Sequence, residues 1–413
     1  MPIDFARVPP KVAVPELPRL SLTVWAFLFV LVTSGGAGFA IYTLPPGTSS
    51  DTAWFWICVA VFPVLAWTFL LFARLTFLHV QRATAIATNR VSDRELDKCH
   101  ARASEPLALI GHAWIFSGVD EENEASGITD GAVQLKPRAS LASSNSDVTA
   151  RWIDIPGRSF NAGNAFSERR RHIEIIEWLL ECLITRLAPQ LRRLPSSTSL
   201  RVTLSLSAHV DEKLVGQRLA IMLANLHLGI DVTVDATNEK VSLFEVDSWL
   251  DDINDRTVHL LVALQLRNAI SNLLEKRMAE AAVALLVGHS SLAAVYADGS
   301  SVRVHRPERG PRETPDEILA SAARWGRSAM SEIDTAWTCD VSPNSYLSIR
   351  SSKHFDPRTG LCDLNATIGD CGYANQWLTL ALAARQSTDS GFPQSIIVQE
   401  GEELIALTCK KHT

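Results

Sequence analysis

The sequence predicts an α/β protein in two parts, a membrane hairpin followed by a duplicated, layered body. Three observations carry this reading. Two apolar runs stand near the N-terminus with one short loop between them; strand and helix patterns alternate through the rest of the chain; and the alternation passes through two successive series. With 413 residues, 47% hydrophobic and 20% charged, the chain can hold the hairpin plus about two ordinary domains of core.

The apolar runs come first. Leu20–Leu44 carries no charge, and Thr52–Leu78 carries only Arg74 near its exit. At about 1.5 Å per residue, about 20 apolar residues cross a hydrocarbon core of about 30 Å. Residues 20–80 are therefore expected to form a transmembrane hairpin. Arg7, Lys11 and Arg19 precede it, Arg74, Arg82, Arg90, Arg94 and Lys98 follow or close it, and its connecting loop has neither Lys nor Arg. The positive-inside rule then places both termini and the body in the cytoplasm, at the inner membrane. The length of the first run, with no obvious cleavage site before the second, argues against a signal peptide. Trp25, Tyr42, Trp54 and Trp56 are candidate interfacial anchors, and Ser34–Gly38 is small enough for close approach by the second span or by a partner. Within the two spans no charged residue precedes Arg74, which suits a tether better than a conduit.

The head, 1–19, has Pro2, Pro9, Pro10, Pro15 and Pro18 and reads as an extended cytoplasmic tail. Residues 81–103 read as a helical stalk, with a break near Val91–Asp93 where Ser92 or Asp93 would cap a second helix. The body opens on the β-type run Pro106–Phe116, followed by a Ser/Gly/Asn-rich region, 117–168, read as loops. Ser167–Leu191 spaces Ile173, Ile176, Leu179, Leu180, Leu183 and Leu187 as an amphipathic helix, and the Arg169–Arg171 run before it reads as a solvated face. Strands Leu200–Leu206, Ile230–Val234 and Val258–Leu266 alternate with helices Asp211–Leu226 and Val241–Leu250. A second series follows: Ala279–Val287, Leu292–Tyr296, Ser301–His305, a helix over Thr314–Ile333, a strand over Thr335–Val341 and a buried helix over Gly372–Ala384. Thr314, Pro315 and Glu317 predict a capping box. Ser395–Gln399 and Leu404–Cys409 close the chain as a hairpin. The halves are expected at 104–275 and 276–413.

A formal charge of −6 with no basic stripe gives no reason to expect nucleic acid. Seven cysteines without a CxxC pair argue against a disulfide framework or zinc ribbon and suit a reducing compartment. No cofactor is expected.

Gly369-Asp-Cys-Gly-Tyr-Ala-Asn-Gln-Trp-Leu-Thr-Leu-Ala-Leu-Ala-Ala resembles the segment that opens the central helix in the second half of thiolase-like, β-ketoacyl-synthase-type proteins. Pro106–Gly111, Ala279–Gly288 and the closing SIIVQEGEELIALTC hairpin resemble other stretches of that family in the same order. The resemblance implies a duplicated α-β-α-β-α body over about 300 residues. The family's nucleophilic cysteine would fall within Asp231–Leu250, yet no cysteine lies between Cys182 and Cys339. Its two histidines would fall near Trp337-Thr-Cys-Asp-Val and at Ile368-Gly369-Asp370. A decarboxylative condensation needs a thiolate and two donors to the enolate, and none is in place. Cys339-Asp340-Val341 and Gly369-Asp370-Cys371-Gly372 are similar to features of degenerate ketosynthase-like accessory proteins encoded beside type VI secretion effectors. That likeness implies a pseudoenzyme or adaptor in protein secretion, its partner an effector or apparatus component. The fold also implies a homodimer through the body.

If the fold is right, Cys339, Asp340, Asp370 and Cys371 meet in the vestigial cleft and are the candidates for a residual ligand site. Other constellations are weaker. Gly288-His-Ser-Ser-Leu echoes a nucleophile elbow without its second glycine, with His354 or His412 as distant partners. Asp247, Asp251, Asp252 and Asp255 read as a solvated helix end before a cation site. Cys99-His100 would need further metal ligands. The leading expectation is a non-catalytic, membrane-tethered adaptor. A membrane-anchored acyltransferase or hydrolase with an unrecognised site and an acyl-ligand sensor are the alternatives.

Overall fold

The computed structural model describes residues 5, 8–16, 21–43, 45, 52–251, 256–296, 301–352 and 359–411. It divides into two compact units, residues 4–100 and a body from residue 101 onward.

In the first unit, α1 (Leu22–Thr43) is followed by α2 (Ala53–Trp56), a π-helical turn (Ile57–Val61) and α3 (Phe62–Ala103), one continuous helical run from Ala53 to Ala103. The π turn stands just before Pro63, which supplies no N–H to the ladder. Both helices are long and apolar enough to cross a membrane. No residue of α1 is buried, and Leu22, Phe27 and Phe72 are 83%, 69% and 62% exposed. Within α1, Thr33 and Ser34 return their hydroxyls to the Phe29 and Val30 carbonyls at 2.7 and 2.6 Å, leaving a face without spare donors. Gly36 packs against Pro63, where an added Cβ would approach to 2.8 Å, while Gly35 and Gly38 meet nothing within 4 Å. One small residue of the 34–38 cluster is thus used by the chain's own second helix. The expected helix break at 91–93 is absent, because the extended head lies along α3 there. The Ser92 hydroxyl donates to the Pro9 carbonyl at 2.6 Å, Asp93 pairs with Lys11 at 2.7 Å, and the Asn89 amide exchanges two hydrogen bonds with Val12. The Pro45–Asp51 loop lies almost wholly outside the described residues.

The body contains β1 (Leu107–Ile115), α4 (Ala125–Thr129), the small pair β2 (Arg138–Ala139) and β3 (Asp147–Val148), α5 (Ala165–Arg192), β4 (Ser199–Ser207), α6 (Glu212–Ala224), β5 (Asp231–Thr237), α7 (Glu245–Asp251), β6 (Thr257–Gln265) and β7 (Ala281–His289). It continues with β8 (Val302–Val304), β9 (Glu308–Pro311), α8 (Pro315–Trp325), β10 (Thr335–Cys339), α9 (Pro343–Arg350), β11 (Gly360–Asp363), α10 (Leu364–Thr367), α11 (Asn375–Ser390), β12 (Gln394–Glu400) and β13 (Glu403–Lys411). The main sheet runs β11-β10-β12-β13-β8-β1-β7-β6-β4-β5, with β9 on β13. Taken outward from the β1–β8 junction, both series follow one pattern. The first strand pairs antiparallel with the last, which pairs antiparallel with the fourth, and the fourth, second and third run parallel. Strand order therefore assigns β7 to the first series, whereas the division expected at 275/276 falls before it.

Side-chain alternation builds the layers. In β7, Ala281, Val283, Leu285 and Val287 face the core shared with α7 and α11, while Ala282, Ala284 and Leu286 face the core under α5 and α6. In β12 and β13, Ile396, Val398, Ile405 and Leu407 face the shared core, and Ile397, Leu404 and Ala406 face α8. The result is five layers, α-β-α-β-α, with α7 and α11 in the middle. A bulge between Leu109 and Gly111 shifts β1 so that Ile110 and Ala113 still reach the outer core. Residues 375–384 of α11 are buried on every side, as a helix between the two halves of the sheet must be. The expected capping box does not form. Thr314 makes no side-chain cap and turns its hydroxyl to the Pro311 carbonyl at 3.3 Å.

Candidate functional site

The parallel strands β4, β6, β10 and β12 end on one side of the body. The β10 end is Cys339, after which Asp340 takes a left-handed φ of 58°, an unfavourable conformation for a residue with a Cβ. A dense polar cluster holds it. The Asp340 backbone N–H donates to Asn365 Oδ1 at 3.0 Å, and Asn365 Nδ2 returns a bond to Asp340 Oδ1 at 3.2 Å. Asn375, at the start of α11, donates to the same carboxylate oxygen and to Asn365 Oδ1 at 3.1 Å. Lys240, from the turn after β5, closes on Asp340 Oδ2 at 2.8 Å. Burial works against the Lys240 ammonium, but the Asp340 carboxylate outweighs it and holds the pKa above the ordinary value.

The segment before α7 is held as tightly. Gln376 accepts the Leu243 N–H at 2.6 Å and donates to Glu400 at 2.7 Å. The Ser242 hydroxyl donates to the other Glu400 oxygen at 2.8 Å, and Trp377 Nε1 donates to the Val241 carbonyl at 3.0 Å. Trp377 also stacks on Trp249, joining α11 to α7.

The second predicted pair, Asp370 and Cys371, sits in the turn before α11. Asp370 accepts the Gly372 N–H at 2.8 Å and Arg267 Nη2 at 3.2 Å, and its backbone bridges to Met278 and Ala279. Gly372 has φ 50°, and a Cβ there would approach Gln265 Oε1 to 2.1 Å, so this turn requires glycine. Among the described residues no hydrogen bond or ion pair joins Asp340 to Asp370. Cys339 and Cys371 are fully buried. Burial, reinforced by Asp340 at the first and Asp370 at the second, pushes both thiols well up, and Cys362 is pushed up to about 12 by burial and Asp363. None of the three is a poised thiolate.

Behind this turn is a buried ionic cluster. Arg171, at 0% exposure, donates to Glu280 at 3.0 and 2.6 Å and to Glu168 at 3.1 Å. Glu280 also accepts the backbone N–H groups of Ile153 and Arg267, both at 2.8 Å, and Glu168 accepts those of Ile270 and Ser271 at 2.9 Å. His172 accepts the His209 N–H on Nδ1 at 3.0 Å, so its Nε2–H donates to the Arg267 carbonyl at 3.0 Å. Burial opposes the Glu168 charge, yet hydrogen bonds from His172, Ile270 and Ser271 carry its pKa down to about 2. The Arg169–Arg171 run is therefore not a uniform solvated face: its third member is the centre of this cluster.

The remaining candidates resolve differently. Asp247 and Asp251 both pair with Arg306, the second at 2.7 Å, so an arginine occupies the position a cation would take. Asp252, Asp255, His354 and His412 lie outside the described residues. No group of three or more His, Cys, Asp or Glu able to hold a metal occurs among the described residues, Cys99 and His100 included.

Comparison with solved structures decides the architecture. The body superposes on the ketosynthase of a type II polyketide synthase solved with its acyl-carrier protein (AntDE:AntF), with a TM-score of 0.50 at 12% identity over 75% of this chain and 100% of that one. It superposes equally on the oxazolomycin ketosynthase domain OzmH KS7 of Streptomyces albus JA3453, TM-score 0.50 at 12% identity, covering 75% and 74% of the two chains. The fold is thiolase-like. No family model and no curated protein sequence matches the chain. At this identity the likeness establishes the thiolase-like fold alone. On that fold, Lys240, Asn365 and Asn375 are the residues that sequence reasoning missed. Each is a single polar residue in or beside a turn and carries no periodic signal.

Proposed function

We propose that this protein is a non-catalytic, thiolase-like adaptor tethered to the bacterial inner membrane, with its body in the cytoplasm, where it engages a protein partner. The observation that carries the proposal is the engagement of Asp340 by its own neighbours. The Asp340 carboxylate is engaged by Lys240, Asn365 and Asn375, and the nearby thiols are buried and protonated. Condensation chemistry needs an ionised nucleophile facing donors with room for an acyl chain between them. Here those positions are spent on one another. The exposed apolar surface of α1 and α3 supports the tether, since a soluble helix would bury such a face. A secretion effector or apparatus component is the proposed partner class, on the sequence resemblance alone, and self-association through the body belongs to the same proposal.

The test uses the detergent-solubilised full chain incubated with acyl and malonyl thioesters. Intact-mass measurement is expected to find no acyl adduct, and Cys339 and Cys371 should alkylate only after denaturation. A stable acyl-enzyme, or thioester turnover lost on Cys339→Ala, would replace this reading with the acyltransferase one. Carbonate-resistant membrane association of the full chain, lost when residues 1–80 are removed, tests the tether separately.

A further inference from the structure

We propose that the pocket at the N-terminal ends of β6 and β12 binds a phosphate group, carried by a small organic phosphate or by a lipid headgroup. The pocket has a volume of about 400 Å³, within the range of small-molecule sites. It lies at the opposite end of the sheet from the cleft. β7 runs antiparallel to β6 with Gly288 opposite Val258 and Ala281 opposite Gln265, which separates the two ends by about 25 Å of strand.

Three cations converge there. Arg303 on β8 and Lys410 on β13 are direct partners in an antiparallel pair. Like charges in that relation repel. Burial first, and then Arg303 and Arg327, hold the Lys410 pKa below its ordinary value, against an opposing pull from Glu332. Arg327, exposed and at a left-handed φ of 48°, is the third cation. Lys410 donates to the Gly326 carbonyl at 2.8 Å and Arg327 to the Ala101 carbonyl at 2.9 Å, which leaves each with further donors. The acid on the pocket wall is the exposed Glu105. Neighbouring Arg306 is engaged elsewhere: it donates to the Ala103 carbonyl at 3.2 Å and pairs with two carboxylates, Asp247 and Asp251.

His305 supplies an independent sign. It lines the pocket, is 2% exposed, and neither ring nitrogen makes a well-formed hydrogen bond. A buried polar group in that state costs stability until something fills the site. Burial, and then Lys410 and Arg303, push its pKa down to about 3 against an opposing pull from the Ser104 backbone, so at neutral pH the uncharged ring has an N–H to give an anion. The Gly288-His-Ser-Ser segment finds its place here as well. His289 Nδ1 accepts the Ser291 N–H at 3.2 Å and lies 2.8 Å from its hydroxyl, closing a local turn, and Ser290 and Ser291 contribute to the wall. Guanidinium, ammonium, imidazole and hydroxyl donors around one small volume are the chemistry of phosphate recognition.

The test titrates the detergent-solubilised full chain with inorganic phosphate, glycerol 3-phosphate and dioctanoyl phosphatidic acid, followed by calorimetry and thermal shift. Saturable binding of at least one probe is expected, weakened about tenfold or more in R303Q/K410Q and unchanged in R218Q, which alters an exposed arginine elsewhere. A gain of about tenfold or more on going from glycerol 3-phosphate to the dioctanoyl lipid assigns the ligand to a headgroup; equal affinity assigns it to a free organic phosphate. Should the double variant fail to fold, R327Q alone is expected to weaken binding several-fold. The proposal is overturned if no probe saturates, or if the folded variants bind as the native chain does.

Discussion

In the first series the outer face of the sheet lies under α5 and α6, and α5 carries a buried charge cluster into the packing. In the second series the outer face lies under α8 and α9, and the core there is apolar, built from residues such as Ile318, Leu319, Ile349 and Ile397. The strands beneath follow the same order in both. The difference separates two jobs. Period-2 alternation of apolar side chains suffices to order the sheet and seat α7 and α11 between its faces. The charge cluster does something further: Glu168 and Glu280 accept backbone N–H groups from 153, 267, 270 and 271, and Arg267 then reaches Asp370. Ions buried in the first series thus hold the turn of the second series that carries Asp370 and Cys371.

The largest effect expected from this contrast comes from Arg171→Ala. It leaves Glu280 and Glu168 buried without their cation, and losses of about 3–5 kcal/mol follow the breaking of a buried pair from one side. Urea denaturation of the solubilised chain should show that loss. If Arg171→Ala costs no more than an exposed substitution, the cluster is not what fixes these loops.

Most of the strands were legible in the sequence, and the cluster was not, for a physical reason. Val258–Leu266 and Ser395–Cys409 announce themselves because burial on a pleated sheet imposes local patterns of apolar residues. Short pieces such as β9, α9 and β11 impose too little pattern to be read. Arg171 looks like its neighbours Arg169 and Arg170 until Glu280, more than a hundred residues away, is folded against it. The same holds for Asp340. Its place at the end of a strand was visible, but Lys240, Asn365 and Asn375 come from separate segments and meet only in three dimensions. Asp370 sits in a segment with a recognisable glycine pattern, yet its tie to Arg267 was equally hidden.

A smaller effect is expected on acidification. Glu168 has its pKa lowered to about 2 by His172 and two backbone N–H groups, against an ordinary value of 4.5. Because the folded pKa lies below the unfolded one, the unfolded chain binds the proton first. The contribution is complete above about pH 4.5 and is lost as pH falls towards 2, on the order of 2 kcal/mol once solvent screening is allowed for. The urea midpoint should fall over that window in the native chain and fall less steeply in Glu168→Gln. A parallel decline in both would place the acid sensitivity elsewhere.

The smallest effect sharpens the comparison most, because it keeps the residue type and changes only its surroundings. Arg169 precedes Arg171 by two positions on the same helix but is exposed. A lone arginine in water contributes little, and its replacement is expected to change stability by under about 0.5 kcal/mol. Arg170, exposed and paired with Glu174 at 3.1 Å, should behave similarly, since i,i+4 pairs on a helix surface are worth only about 0.3–0.5 kcal/mol. Measured side by side, Arg169→Ala, Arg170→Ala and Arg171→Ala compare the same substitution in three environments. A steep step at the third alone assigns the cost to the buried carboxylates. A graded loss across the three would instead assign it to helix propensity and long-range charge, and the contrast between the two outer layers would then rest on packing alone.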